Sequence, residues 1–303
     1  MQSLLGLLAD GELHSGSELA AALGMTRSAV WKQIHQLESL GLVFGAAAGQ
    51  GYQLEAPLEL LDEQIINTEL ALAEPDVELD VLWETASTSS HLLGQPPQAT
   101  GLARACIAEY QSAGRGRRGR AWLAPAGHGV SLSVAWRFAE SPANLSCLGL
   151  AVGVAALRAV HAAGVADAQL KWPNDLILEG GKLAGILIDV QGEAGGPLNI
   201  VAGVGVNWRL NEAVRAGIVS SGGLRPAAMT DSRALHAGRN QFVVLLITEI
   251  VRVLRQFAVD GFASFAEDWA AADYLAGRKV DVIGDSGTVS GVVRGIAGDG
   301  RLR

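Results

Sequence analysis

The chain has 303 residues, 49% of them hydrophobic and 18% charged; it exceeds the usual single-domain size, can bury a large core, and is expected to form two or three domains. Its formal net charge of −8 excludes binding to nucleic acid through overall charge, so any such contact must come from a local face. No uninterrupted apolar run long enough to span a bilayer and no basic-then-apolar signal segment is read from Met1 onward, so a cytoplasmic protein without a membrane partner is expected.

Residues 1 to about 56 read as a small helical domain. Leu4, Leu5, Leu7 and Leu8 make a first helix that stops at Asp10-Gly11, and Ser15 to Glu18 has capping-box spacing for a second. Thr26 can cap a third helix, in which Val30, Ile34 and Leu37 share one face at i, i+4 and i+7. Ala20, Gly24 and Val30 fit a helix-turn-helix, and Leu42-Val43-Phe44, a glycine and alanine loop over 45–51, and Tyr52-Gln53-Leu54 read as a hairpin wing. Ser17, Thr26, Arg27, Ser28, Lys32 and His35 are the candidate DNA contacts of a winged helix whose recognition helix covers about 26–39. A packing or dimerisation module is the other reading. Four acids against two bases give residues 1–54 a net charge of −2, which predicts modest DNA affinity that needs a dimer.

Ala56-Pro57 opens a linker, and Leu61 to Leu72 reads as a connecting helix. From Glu78 onward strands and helices alternate. Leu79–Trp83 is a strand, and the hydroxyl cluster Thr85 to Ser90 after it can either cap a helix or hydrogen-bond a polar ligand. Cys106 and Cys147 lie among apolar residues without His or Cys at metal spacing, as suits buried, reduced thiols. Gly114 to Arg120 holds four arginines and three glycines in seven residues, between stretches of strand character. Glycine lets backbone approach a ligand closely and arginine presents a fixed cationic fork, so this loop is suited to closing over an anion. Gly149 to about Ala163 reads as a buried helix. Gln169 to Leu178 reads as a strand broken by a turn and joined through Glu179-Gly180-Gly181 to a strand beginning at Lys182. That lysine either snorkels at a sheet edge or serves a ligand. Ile200 to Asn207 is a strand with glycines on one face, Asn240 to Phe257 a long helix, and the residues after Gly277 are β-rich, with a turn at Gly284-Asp285-Ser286-Gly287.

Four blocks carry a specific resemblance: Gln111 to Arg120 with Trp122, Lys171-Trp172-Pro173-Asn174-Asp175, Lys182-Leu183-Ala184-Gly185-Ile186-Leu187, and Gly203-Val204-Gly205-Val206-Asn207. In this order they resemble the signature blocks of biotin–protein ligases, and with the winged helix in front nearly the whole chain is similar to the bifunctional ligase–repressors of that family. The resemblance implies an α+β protein with a winged helix-turn-helix over 1–60, a mixed-sheet, class II synthetase-like catalytic domain over 61–273, and part of a C-terminal SH3-like β-barrel over 274–303. It implies formation of biotinyl-5′-AMP from biotin and ATP, followed by transfer to a lysine of the biotin carboxyl carrier protein of acetyl-CoA carboxylase.

Residue by residue, the resemblance places Arg117 and Lys182 in catalysis. Ser87, Thr88, Ser89, Gln111, Arg115, Gly116, Arg117, Lys182 and Gly203 would bind biotin, and Arg115, Arg117, Arg118, Arg120, Trp122, Lys182 and Asn207 the nucleotide. Asn174 and Asp175 would help hold Mg²⁺ with the triphosphate. No protein nucleophile is needed, because the acyl adenylate reacts directly with the carrier's amine. The resemblance further implies repression of biotin-synthesis genes, with biotinyl-5′-AMP as co-repressor promoting a homodimer that reaches two operator half-sites. A non-catalytic biotin sensor and a ligase whose winged helix no longer binds DNA remain as other readings. Two departures stand out. Ser89 occupies a position where the family usually has Asn, which predicts weaker biotin binding, and the SH3-like region is expected to be truncated.

Overall fold

Ser15 and Glu18 fix the entry of the second helix in the computed structural model, which describes residues 1–45, 51–192, 196–220, 222, 224–284 and 287–303. The Ser15 hydroxyl accepts from the Glu18 amide and the Glu18 carboxylate accepts from the Ser15 amide, the reciprocal capping box that its spacing predicts. The first three helices are α1 (Gln2–Leu8), α2 (Gly16–Ala22) and α3 (Arg27–Ser39), the last capped by Thr26. Leu4, Leu5, Leu8, Leu19, Val30, Ile34 and Leu37 bury into their common core. The wing is less regular than expected: the described residues contribute isolated bridges, Phe44 to Leu54 and His14 to Tyr52, and residues 46–50 of the expected loop lie outside the described residues.

The amino-terminal helical domain rests on the larger body. The Ala126 amide donates to the Leu40 carbonyl at 3.3 Å, and Ala126 is buried in the same apolar cluster as Leu37 and Leu42. The connecting helix α4 (Glu63–Ala73) starts two residues later than its apolar pattern suggests, because Asp62 caps it through the Ile65 amide.

A seven-stranded mixed sheet follows. Its strands are β1 (Val77–Thr85), β2 (Ala103–Gln111), β3 (Gly129–Phe138), β4 (Gln169–Lys171), β5 (Asp175–Leu178), β6 (Gly181–Gly192) and β7 (Leu198–Asn207), in spatial order β1-β2-β3-β7-β6-β5-β4. Only β1 and β2 run parallel; the other neighbours are antiparallel. Between β1 and β2 lies α5 (Thr88–Leu93). One sheet face is covered by α6 (Leu148–Ala162) and α8 (Arg239–Asp260), whose apolar side chains join Val130, Leu132, Val134, Ile200, Ala202 and Val204 in the main core. Leu145–Ala162 is long and apolar enough to pass as a membrane span by length and composition, although Arg158 and His161 interrupt it; here it is a core helix, 67% buried. The helices α7 (Glu212–Ser220) and α9 (Ala266–Ala272) complete the body.

The carboxy-terminal residues form a two-stranded sheet of β8 (Lys279–Gly284) and β9 (Gly287–Val292), with a bridge between Ile296 and Leu302. Residues 285 and 286 of the expected turn lie outside the described residues, and no closed barrel is seen among the described ones.

Candidate active site

The open face of the sheet, opposite α6 and α8, carries a pocket of about 490 Å³ including its mouth. Its floor exists because side chains are missing: on β7, Gly203 and Gly205 pair with Ser133 and Ser131 of β3 and with Leu187 and Gly185 of β6. A methyl group on Gly203 would come within 2.8 Å of the Ser89 hydroxyl, and one on Gly205 within 2.5 Å of the Trp122 ring. The glycine face therefore makes room for the two sides of one cleft.

One end is lined by hydroxyls and an amide. Ser87 caps α5, its hydroxyl 3.4 Å from the Ser90 amide, so the capping and ligand-lining readings of this cluster hold together. The Gln111 side-chain oxygen accepts from the Thr88 amide at 2.8 Å and from the Thr88 hydroxyl at 3.2 Å. Ser133 lies 2.8 Å from Thr88 Oγ1 and 3.0 Å from Ser89 Oγ, and these three hydroxyls are buried. Because each hydroxyl can donate or accept, the cluster can meet a head group that presents both N–H and C=O groups.

The other end is cationic. The loop after β2 folds back through a bridge between Arg115 and Ala121, with a 3-10 turn over Arg117–Gly119. Arg115 donates to Asp189 at 2.7 Å, and Arg117 donates to the Asn174 side-chain oxygen at 3.2 Å. Lys182 Nζ lies 2.6 Å from Asp175 Oδ1; that oxygen has no directional hydrogen bond, so the contact is an ion pair. The Lys182 ammonium also sits over the Trp122 ring, 5.7 Å from its centroid. The lysine is not snorkelling at an edge: β6 is an interior strand and the side chain lines the pocket. Each of the three cations thus holds a protein oxygen that a phosphate or carboxylate oxygen can replace.

Ser87, Thr88, Ser89, Gln111, Arg115, Gly116, Arg117, Trp122, Asn174, Lys182 and Gly203 all line the one pocket. Arg118 and Arg120 do not. Both are exposed, and Arg118 has a left-handed backbone at φ 57°, which turns the loop. Asn207 supports the site from behind, its amide donating to the carbonyls of Lys182 at 3.1 Å and Ala227 at 3.0 Å. Asn174 and Asp175 are held by their neighbours: the carboxylate is paired with Lys182, the Asn174 oxygen faces Arg117, and its nitrogen donates to the Ile186 carbonyl. No cluster of three or more His, Cys, Asp or Glu is found among the described residues. Cys106 is buried against Leu92 and Val201, and burial pushes its thiol up to about 12, so it offers no nucleophile.

Ser131 and Ser133 line the pocket without having been singled out in the sequence. Their signal is faint but present: two hydroxyls on alternate positions of a strand, on the face opposite its valines and leucines. In the winged helix, Ser17, Thr26, Arg27, Ser28, Lys32 and His35 are all exposed, and the last five share the outer face of α3 or its cap.

Residues 85–207 match the family described as Biotin/lipoate A/B protein ligase family, and residues 1–53 match an HTH domain. The chain is 35% identical over 299 residues, 99% of its length and 90% of the relative's, to the bifunctional ligase/repressor BirA of Escherichia coli. It is 33% identical over 235 residues, covering 73% of this chain and 92% of the other, to a biotin–[acetyl-CoA-carboxylase] ligase of Paracoccus denitrificans. The fold resembles the biotin protein ligase from Aquifex aeolicus in complex with biotin and ATP, with a TM-score of 0.60 and 23% identity over 74% of this chain and 90% of that one. The glycine-floored pocket, the helix-turn-helix in front of it and a relative that matches nearly end to end agree: the chain belongs to the biotin protein ligase family, in its bifunctional ligase/repressor branch.

Proposed function

We infer that the chain joins biotin to ATP as biotinyl-5′-AMP and passes the biotinyl group to a lysine of the biotin carboxyl carrier protein of acetyl-CoA carboxylase. The observation that carries this reading is the polarity of one pocket, with hydroxyls and an amide at one end and Arg115, Arg117 and Lys182 at the other. The ureido ring of biotin needs donors and acceptors together, which Ser87, Thr88, Ser89 and Gln111 offer. Its carboxylate then points toward the cations, beside Gly116 and the Gly203 strand. One carboxylate oxygen bonds to the α-phosphorus of ATP, the bond from that phosphorus to the bridging oxygen breaks, and pyrophosphate leaves. Two anions must meet for this step, and Lys182 and Arg117 lower its barrier by offsetting their repulsion and the charge of the transition state. Trp122 offers a flat apolar surface for adenine. The carrier's lysine amine then attacks the acyl carbon and AMP leaves. A closed arginine loop would keep water from the anhydride between the two steps. Mg²⁺ enters as part of the ATP substrate.

The amino-terminal helices support a second activity. We divide the chain into a winged helix over 1–60, a catalytic domain over 61–273 and a C-terminal SH3-like module over 274–303, to which β8 and β9 would belong. The winged helix would bind biotin-operator DNA as a homodimer, with biotinyl-5′-AMP as co-repressor, in the cytoplasm. The ligase reading is tested by incubating the full chain with biotin, Mg·ATP and a carrier domain and measuring carrier mass. One added biotinyl group on the acceptor lysine is expected; an unmodified carrier in the presence of formed adenylate would refute the transfer step.

A further inference from the structure

The outer face of α3 holds a side chain that neither the ligase site nor the helix-turn-helix core uses. Val30, Ile34 and Leu37 are buried, while Arg27, Ser28, Trp31, Lys32 and His35 face outward. Trp31 is 51% exposed. Its indole is backed by the His35 ring, with centroids 3.9 Å apart and planes inclined by 41°. His35 Nδ1 lies 2.9 Å from the Trp31 carbonyl oxygen, which fixes the imidazole against it.

A single exposed apolar side chain is ordinary on a protein surface. Position and charge set this one apart. Trp31 stands in the amino-terminal half of the helix, flanked by Arg27 and Lys32, the half that a recognition helix presents to base edges. Glu38, 3.9 Å from His35, places an acid at the other end and disfavours phosphate there. With two basic residues among residues 1–54, little affinity can come from phosphate neutralisation, so base contacts must supply more of it. In the major groove the one apolar group is the thymine 5-methyl.

We propose that Trp31, held by His35, reads thymine 5-methyl groups in the operator half-site, a role that rests on the repressor reading above. The test uses a duplex enriched from a random-sequence library by the full chain with biotin and Mg·ATP. Each thymine of its half-sites is replaced in turn by deoxyuridine, which removes only the methyl group. For the unaltered protein, replacing the thymine that is read should weaken binding about tenfold, the scale of one good base contact. Trp31→Ala should weaken binding by a similar factor, become indifferent to that replacement, and leave the salt dependence unchanged. Lys32→Ala should keep the methyl preference and lower the slope of log affinity against log salt by about 1 per subunit. Thermal unfolding checks that the variants are folded, and the deoxyuridine arm with unaltered protein needs no variant. Indifference of the unaltered protein to every replacement, or a Trp31→Ala variant that retains the preference, overturns the proposal while leaving the repressor reading intact. Failure to enrich any duplex overturns both.

Discussion

Gly205 has no room for a methyl group, because the Trp122 ring already lies against it and is itself wedged over Gly185. Gly205→Ala must push the indole out of the pocket, at a cost of about 1–3 kcal/mol, read as a rise of about tenfold or more in the KM for ATP. Gly185→Ala should be milder, since the nearest atom to its new methyl is the flexible tip of Lys182 at 3.1 Å. Steady-state kinetics of both variants check this order. At this scale much of the site was legible: four arginines in a seven-residue loop, glycines along one face of a strand and a lysine opening an otherwise apolar strand are each unusual where they stand, and together they ask for a ligand. Ser131 and Ser133 left only a faint signal, since a small hydroxyl on a strand fits a pleated surface as well as a pocket. Nor could the sequence decide between an edge and an interior position for Lys182, which depends on the sheet order.

At the scale of elements, the start of α8 shows how the linker is held. The Glu59 carboxylate accepts from the amides of Arg239 at 2.6 Å and Asn240 at 3.0 Å, at the positive end of the helix. Arg239 is fully buried; it donates to the Gly129 carbonyl at the start of β3 and lies 2.6 Å from Glu109 Oε1. Arg239→Ala leaves Glu109 buried without its partner and should destabilise the protein by about 3–5 kcal/mol, whereas the double variant with Glu109→Leu should recover part of that. Denaturant unfolding of the single and double variants measures both. In α2, the Ser15 amide and then the Ser15 hydroxyl hold the Glu18 carboxyl below its ordinary 4.5. A depressed carboxyl stabilises the fold above its ordinary value and loses that contribution as pH falls through the lowered one. Glu18→Gln should therefore flatten the acid limb of winged-helix unfolding, followed by amide exchange in α2. The capped, periodic helices were readable because burial imposes their spacing. α7 was not: none of its residues is fully buried, and Val214 and Ile218 at i and i+4 give too short a stripe to mark it. The wing also fell short of a regular hairpin, its described residues joining through single bridges.

Over the whole molecule, the amino-terminal helix-turn-helix domain and the larger body meet at a seam lined by Leu42, Leu54, Leu58 and His128. Burial pushes the His128 pKa below 6.5, against the Ala126 carbonyl, which favours the charged ring. As pH falls below 6.5 the unfolded chain takes up this proton before the native one, so stability drops until the lowered value is passed and then levels. The fall in melting temperature between about pH 7.5 and about pH 5.5 should thus be smaller in His128→Gln than in the unaltered protein. The order of domains was legible from patterning and from the four sequence blocks, while the seam was not, because it joins Leu40 to Ala126 across distant parts of the chain. In the proposed reaction one pocket brings biotin and ATP together under Arg117 and Lys182. Biotin-dependent exchange of labelled pyrophosphate into ATP tests it most directly, because it reports the first step without a carrier protein. The unaltered chain should show exchange, and Arg117→Ala and Lys182→Ala should each lose about a hundredfold or more of it. Biotin binding by calorimetry without any exchange, or exchange that both variants retain in full, would contradict it.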